Sequence, residues 1–245
     1  FPVTIHRAEE KRALVIGSAF HDAIFTPERY QSLYAVEPTK PEEINRRTKE
    51  GKLQYQQWEE SVLLPFQREK VGLTTEELTM IQEMKKRADQ HETFQGILSF
   101  AKKEFTIFFR DPKTGILLKV RPDALNDIVE ICLDAKTTAD ARPVEFRRTI
   151  ANYNYDKQAA MQVDGIKAVF GKTFDFIFSA HEKEDPFGIA LYRLDDACIE
   201  VGRTLYRRDL EYLKTVLQDK TLPRGYPKEV VSIGLPAWGF DITSR

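Results

Sequence analysis

Apolar side chains recur at helical spacing along residues 9–25, through Ala13, Val15, Ile16, Ala19, Phe20 and Ala23, and predict an amphipathic helix there. Gly17 and Ser18 sit inside it. Thr26-Pro27 ends it, because the residue before a proline avoids the helical region. Prolines at 38 and 41 predict a loop over residues 36–41, followed by a polar, basic segment over residues 45–52. A helix is predicted over residues 54–62. Thr74, with Glu77 three residues on, has the pattern of a capping box and starts a helix through Leu78, Ile81, Met84 and Ala88. Residues 91–100 predict a further short helix.

The period then changes from helical to alternating. Residues 105–109 are β-branched and aromatic, residues 111–115 form a turn, and residues 116–121 give a second strand, which together predict a β-hairpin. A third strand is expected over residues 128–135, after a turn at Asn126-Asp127. Helices follow over residues 143–152 and 155–170, strands over 174–180 and 189–194, and a long amphipathic helix over 195–217. The tail is irregular by its prolines and glycines, and its Trp238 and Phe240 are expected to pack. This order predicts an α/β fold, a central mixed sheet flanked by helices. With 245 residues, 42% of them hydrophobic, the chain can bury one sizeable core, so residues 1–245 are expected to form a single domain. The chain opens on Phe1 rather than Met, which is expected to reflect a truncated start.

Charge narrows the picture little. The 37 basic and 38 acidic side chains leave a net charge of −1, so nucleic acid would have to be met by a local basic surface. Two cysteines, Cys132 and Cys198, are too few for a disulfide framework or a four-thiolate metal site, and are expected to be reduced in a cytoplasmic protein. No apolar run approaches the roughly 18 residues that span a bilayer, so no membrane partner is expected.

The chemistry concentrates in Arg121-Pro122-Asp123 and in Asp134-Ala135-Lys136-Thr137-Thr138. Asp123 and Asp134 stand near the ends of two adjacent strands, where a hairpin can bring them together. Asp134 and Lys136, two apart on one strand, share a face. Two carboxylates at one point resist ionising unless a cation joins them, and Mg²⁺ takes one or two carboxylates while keeping places for water and phosphate oxygens. A lysine beside it can orient or deprotonate a water, or balance transition-state charge. The set is the minimal kit for phosphodiester hydrolysis; the bland alternative is a solvated hairpin rim. His21 is either a third metal ligand or an ordinary helix histidine. Gln158 either holds a phosphate or the attacking water, or is an exposed glutamine. Glu104 either binds a second metal through water or is a strand-start charge. Arg46, Arg47, Lys49 and Lys52 form either a solvated loop or a clamp on DNA phosphates, and Arg142, Arg147 and Arg148 can line the same groove.

In order along the chain, GSAFH (residues 17–21), RRTKEGK (46–52), Glu104, RPD (121–123), DAKTT (134–138), YDKQAAMQVDG (155–165) and LPAW (235–238) resemble the RecE, or exonuclease VIII, type of PD-(D/E)xK nuclease domain found in phages and prophages. The resemblance covers nearly the whole chain. It implies a 5′→3′ exonuclease on double-stranded DNA, dependent on Mg²⁺ with Mn²⁺ as an alternative and two ions per site, which leaves a 3′ single strand for recombination by annealing. It implies metal ligation by His21, Asp123, Asp134 and the Ala135 carbonyl, activation of water by Lys136, and assistance from Gln158. It also implies a homo-oligomeric ring, a trimer or tetramer, around DNA ends, a single-strand annealing partner, and the cytoplasm of a bacterial host. Related nucleases carry Gln-x-x-x-Tyr after the lysine strand; here Gln162 takes the tyrosine position, and Tyr153 or Tyr155 is left to compensate. The alternatives are an endonuclease or single-strand-specific nuclease on the same scaffold, and a DNA-binding module whose site has decayed.

Overall fold

The computed structural model describes residues 7–218 and 229–234. The expected packing of Trp238 and Phe240, and the LPAW stretch, lie outside the described residues. In chain order the elements are α1 (Arg7–Phe25), α2 (Pro27–Leu33), β1 (Tyr34–Val36), α3 (Lys49–Trp58), a π-helical turn (Glu59–Leu63), α4 (Leu64–Glu69), β2 (Val71–Leu73), α5 (Thr75–Gln90), α6 (Glu92–Leu98), β3 (Lys102–Lys103), β4 (Ile107–Arg110), β5 (Leu117–Val120), β6 (Ala124–Asn126), β7 (Ile131–Thr138), α7 (Pro143–Tyr153), α8 (Tyr155–Phe170), β8 (Asp175–Glu182), β9 (Ile189–Arg193) and α9 (Asp196–Gln218). The central sheet runs β3-β6-β7-β8-β9; β7 and β8 are parallel and the other pairs antiparallel. The fold is the expected mixed sheet between helices.

Each sheet face carries its own core. Leu125, Cys132, Phe176 and Phe178 pack with α7, α8, α9 and the β4–β5 hairpin. Ala124 and Leu133 pack with Phe20, Ile81, Met84 and Phe94 of α1, α5 and α6. Alternation along β7 therefore aims Cys132, Asp134 and Lys136 at α8, and Leu133, Ala135 and Thr137 at α1. The capping box of α5 is present: Glu77 N–H donates to Thr74 Oγ1 at 3.2 Å, and Thr74 N–H to Glu77 Oε2 at 2.8 Å.

Three expectations need correction. The third strand starts at Ile131, not at residue 128, and reaches Thr138. Asn126 Oδ1 accepts from the N–H groups of Ile128 and Val129, turning the chain there, and the two β-branched residues lie exposed on that turn. The partner of β7 is not the predicted second strand but the short β6; β4 and β5 form a sheet of their own. The basic segment is a loop only up to Thr48, because Thr48 Oγ1 accepts from Gly51 N–H and caps α3, placing Lys49 and Lys52 on a helix. Helix α2, the parallel pair β1–β2 and β3 were not foreseen from the pattern. Among the described residues no helix is long and apolar enough to cross a membrane.

Two features yield measurable consequences. At Gly202 on α9 an added Cβ would stand 2.1 Å from the Asp156 carbonyl oxygen in the first turn of α8, whereas at Gly96 it would meet nothing within 4 Å. Gly202→Ala is therefore expected to cost about 3 kcal/mol of stability by overpacking, and Gly96→Ala, inside α6, to gain roughly 0.5–1 kcal/mol; chemical-denaturation midpoints check both. His181 is buried between Phe20 and Phe94 with Nδ1 unpartnered, and burial, with His91 adding to it, holds its pKa down at about 3. The unfolded chain takes up that proton from about pH 6.5 downward and the folded chain does not, so stability falls through this window by up to about 1.4 kcal/mol per pH unit. His181→Gln should shallow the slope of unfolding free energy against pH between 6.5 and 3.

Candidate active site

The site forms where β6 gives out. Ala124 pairs with Leu133, so the next residues outward, Asp123 and Asp134, are cross-strand neighbours. Beyond that point β7 has no backbone partner on this edge among the described residues. Asp123 fills the gap: its Oδ2 accepts from Ala135 N–H at 2.7 Å. The Ala135 carbonyl leaves the strand on the same edge, because a strand residue turns both its polar groups to one neighbour.

On the α8 face Asp134 is only 1% exposed. Gln158 Nε2 donates to its Oδ1 at 2.5 Å and Gln162 Nε2 to the same oxygen at 3.4 Å. Lys136 Nζ lies 2.6 Å from Oδ2 and donates to Gln158 Oε1 at 3.1 Å. Oδ2 thus faces the Lys136 ammonium, an ion pair inside the protein. Beneath them the buried Cys132 thiol donates to Gln162 Oε1 at 3.2 Å, and burial raises its pKa well above the usual thiol value.

From the other face α1 brings His21, whose Nε2 lies 3.0 Å from Asp123 Oδ1 and 3.2 Å from Glu104 Oε1. Arg121 Nε pairs with Glu104 Oε2 at 3.0 Å. Glu104 holds a left-handed φ of 52°, a conformation that costs a non-glycine residue energy and that its N–H bond to the Asp123 carbonyl at 3.0 Å helps fix. Behind His21, Asp22 is 4% exposed and accepts from the Thr26 and Tyr34 hydroxyls at 2.8 and 3.1 Å.

This donor set fits a hard divalent cation. One atom each of His21, Glu104 and Asp123 lies within 4.8 Å of the others. Burial raises the Asp134 pKa to about 6 and the Asp123 charge adds to it, Lys136 opposing both. Burial likewise raises Glu104, against the pull of His21 and Arg121. Carboxylates gathered beside a histidine, two of them held back from ionising, are the electrostatic condition that a cation relieves.

A cleft of about 930 Å³ opens over these groups, lined by His21, Glu104, Arg121, Lys136, Tyr153 and Tyr155 among others. The structure thus brings His21, Glu104, Asp123, Asp134, Ala135, Lys136 and Gln158 together. It does not bring the predicted basic residues to them. None of Arg46, Arg47, Lys49, Lys52, Arg142, Arg147 and Arg148 lines the cleft. Arg46 packs its guanidinium 4.1 Å over the Tyr55 ring, Arg142 pairs with Asp140 at 2.6 Å, and Arg148 pairs with Glu145 at 2.8 Å. Among the described residues, the cations that do line the cleft besides Lys136 are Arg29, Arg121 and Lys183. Arg29, Asp22 and the Gln162 contact were not found from sequence. Only the i, i+4 spacing of Gln158 and Gln162 on one helix could have pointed to the last.

Comparison with known proteins follows the same lines. A candidate exonuclease of Eubacterium rectale superposes with a TM-score of 0.58 at 12% sequence identity, over 94% of this chain and 79% of that one. An alkaline exonuclease of Laribacter hongkongensis gives a TM-score of 0.30 at 19% identity, over 55% of this chain and 71% of that one. The first shares the fold; the second overlaps too loosely to add to it. A search of curated proteins finds no match. Residues 4–226 match the family described as "PDDEXK-like domain of unknown function (DUF3799)". Pro122-Asp123 and Asp134-Ala135-Lys136 supply the letters of that description, and the chain belongs to this PDDEXK-like family.

Proposed function

We propose that this protein is a metal-dependent deoxyribonuclease, an exonuclease acting on double-stranded DNA ends. The observation that carries the reading is the meeting of Asp123, Asp134 and Lys136 with His21 and Glu104 in one cleft, from both faces of the sheet. His21, Glu104, Asp123 and Asp134, with the Ala135 carbonyl on the same edge, are the residues that would hold Mg²⁺ or Mn²⁺, as one or two ions. When bound, such a cation supplies Lewis-acid charge to a phosphate oxygen and lowers the cost of forming hydroxide.

The chain's own groups do the rest. Gln158 donates to Asp134 with its nitrogen and accepts from Lys136 with its oxygen, so one amide fixes both. Lys136 Nζ, gripped on one side, has further N–H donors for a water or a phosphate oxygen in the cleft. Burial pulls that ammonium toward neutrality, but the Asp134 charge outweighs it, and its pKa stands above the usual lysine value. It therefore acts as a charged donor, orienting the attacking water and balancing charge on the pentavalent phosphorus. Arg29, Arg121 and Lys183 at the mouth suit the neighbouring phosphates, a contact without sequence preference. Arg46, Arg47, Lys49 and Lys52, with Arg142, Arg147 and Arg148, would meet DNA only outside the cleft. The 5′→3′ direction, the duplex substrate, the 3′ strand left for annealing, the ring and the annealing partner rest on the resemblance to RecE-type domains.

Linear duplex DNA labelled at the 5′ or the 3′ end, digested with Mg²⁺, with Mn²⁺ or with EDTA beside a closed circle, tests the reading. Metal-dependent early release of the 5′ label with the circle intact is the expected result. A nicked or cut circle would make the protein an endonuclease, and no cleavage with either metal would leave a DNA-binding module. Asp134→Asn and Lys136→Ala are each expected to lower the single-turnover cleavage rate by roughly 10²–10⁴-fold, with the circular-dichroism spectrum of the folded protein retained. A variant that still cuts at the wild-type rate would remove its residue from the chemistry.

A further inference from the structure

We infer that Tyr153 is a stacking platform for an unpaired base at the DNA end, next to the phosphate being cut; the inference rests on the nuclease reading above. Tyr153 is the last residue of α7, and Asn154, in the left-handed conformation with φ 54°, turns the chain directly into α8. The Tyr153 side chain is left 69% exposed. An exposed tyrosine by itself calls for no explanation. This one lines the cleft together with Tyr155 and Lys136.

Its ring also has an aromatic neighbour behind it. Tyr153 and Tyr155 stack with centroids 5.6 Å apart and planes 22° from parallel. The Tyr155 ring in turn carries the Lys136 ammonium 4.5 Å from its centroid. Ammonium, inner ring and outer ring thus form a short ladder, and the outer ring lies within about 10 Å of Lys136 Nζ. That is the span from a phosphate at the lysine to the base of an adjoining nucleotide. Tyr155 covers one face of Tyr153, and the exposure of the residue leaves the other for a ligand.

A flat aromatic face suits any base, because every base has a π-face, and so serves a nuclease without sequence preference. A paired base inside a duplex has neighbours on both faces. A terminal base freed from its partner has a face to offer, and unpairing costs least there. Stacking on Tyr155 narrows the torsions open to Tyr153 before DNA arrives, which lowers the entropy lost on binding.

Kinetics on linear duplexes carrying an abasic residue at each of the first three nucleotides of either strand test the inference. On intact DNA, Tyr153→Ala is expected to raise KM about 5- to 100-fold, with the smaller part of the effect on kcat. One abasic position should cost the wild type a similar factor and cost Tyr153→Ala nothing more. Tyr153→Phe, which keeps the ring, should restore the wild-type KM. An unchanged KM in Tyr153→Ala, or abasic penalties equal in both proteins at every position, would overturn the platform. Fluorescence of 2-aminopurine at the terminal positions, read with Ca²⁺ in place of Mg²⁺, separates the two readings. Quenching by the wild type and by Tyr153→Phe but not by Tyr153→Ala supports the platform even where no cleavage is found. Equal quenching by all three sinks it while leaving the nuclease reading intact.

Discussion

A carboxylate buried in the middle of a sheet is a costly object, and the surroundings of Asp134 offset that cost. An unpaired charge in such a place would abandon its proton equilibrium or the fold. Here one oxygen takes two amide donors from α8, and the other faces the Lys136 ammonium two residues along the strand. The placement of α8 is therefore an electrostatic matter as much as a packing one. Its first turn lies so close to α9 that only glycine fits at position 202, and that turn carries Gln158. Helix α9 thereby sets the place of the turn that carries this amide.

The second constraint is the early start of β7's free edge. A full-length β6 would satisfy Ala135 by backbone pairing and cover the edge. The short β6 leaves that work to Asp123, whose other oxygen then reaches His21 from the opposite helix layer. A missing stretch of ladder thus becomes the junction between two cores. Glu104 completes it from a left-handed position beside the Asp123 backbone.

The motif on β7 was legible because strand periodicity is strict: residues two apart must share a face, so the sequence alone pairs Asp134 with Lys136. The capping box at Thr74 was legible for a similar reason, being a fixed local spacing. Boundaries were less so. Ile128 and Val129 have strand character, yet the Asn126 side chain supplies the hydrogen bonds that a strand would, and the chain turns. Long-range pairing was not legible at all. Nothing local announces that Asp123 heads a three-residue strand rather than ending the preceding one. The basic residues stand outside the cleft for another reason: charge runs are placed by solvation, and Arg46, Arg142 and Arg148 have partners on their own surface. Cleft cations such as Arg29 and Lys183 stand singly in the sequence and carry no pattern.

The seam between the two cores also bears on the order in which the molecule comes into being. His21 leaves the ribosome about a hundred residues before Asp123, and Gln158 follows later still. Closing so long a loop is paid for only when both helix layers have docked on the sheet. A nascent or half-folded chain holds the site residues of one layer without those of the other. The full cluster is thus a property of the finished molecule alone, and chain topology keeps it from assembling on any part of the chain made earlier.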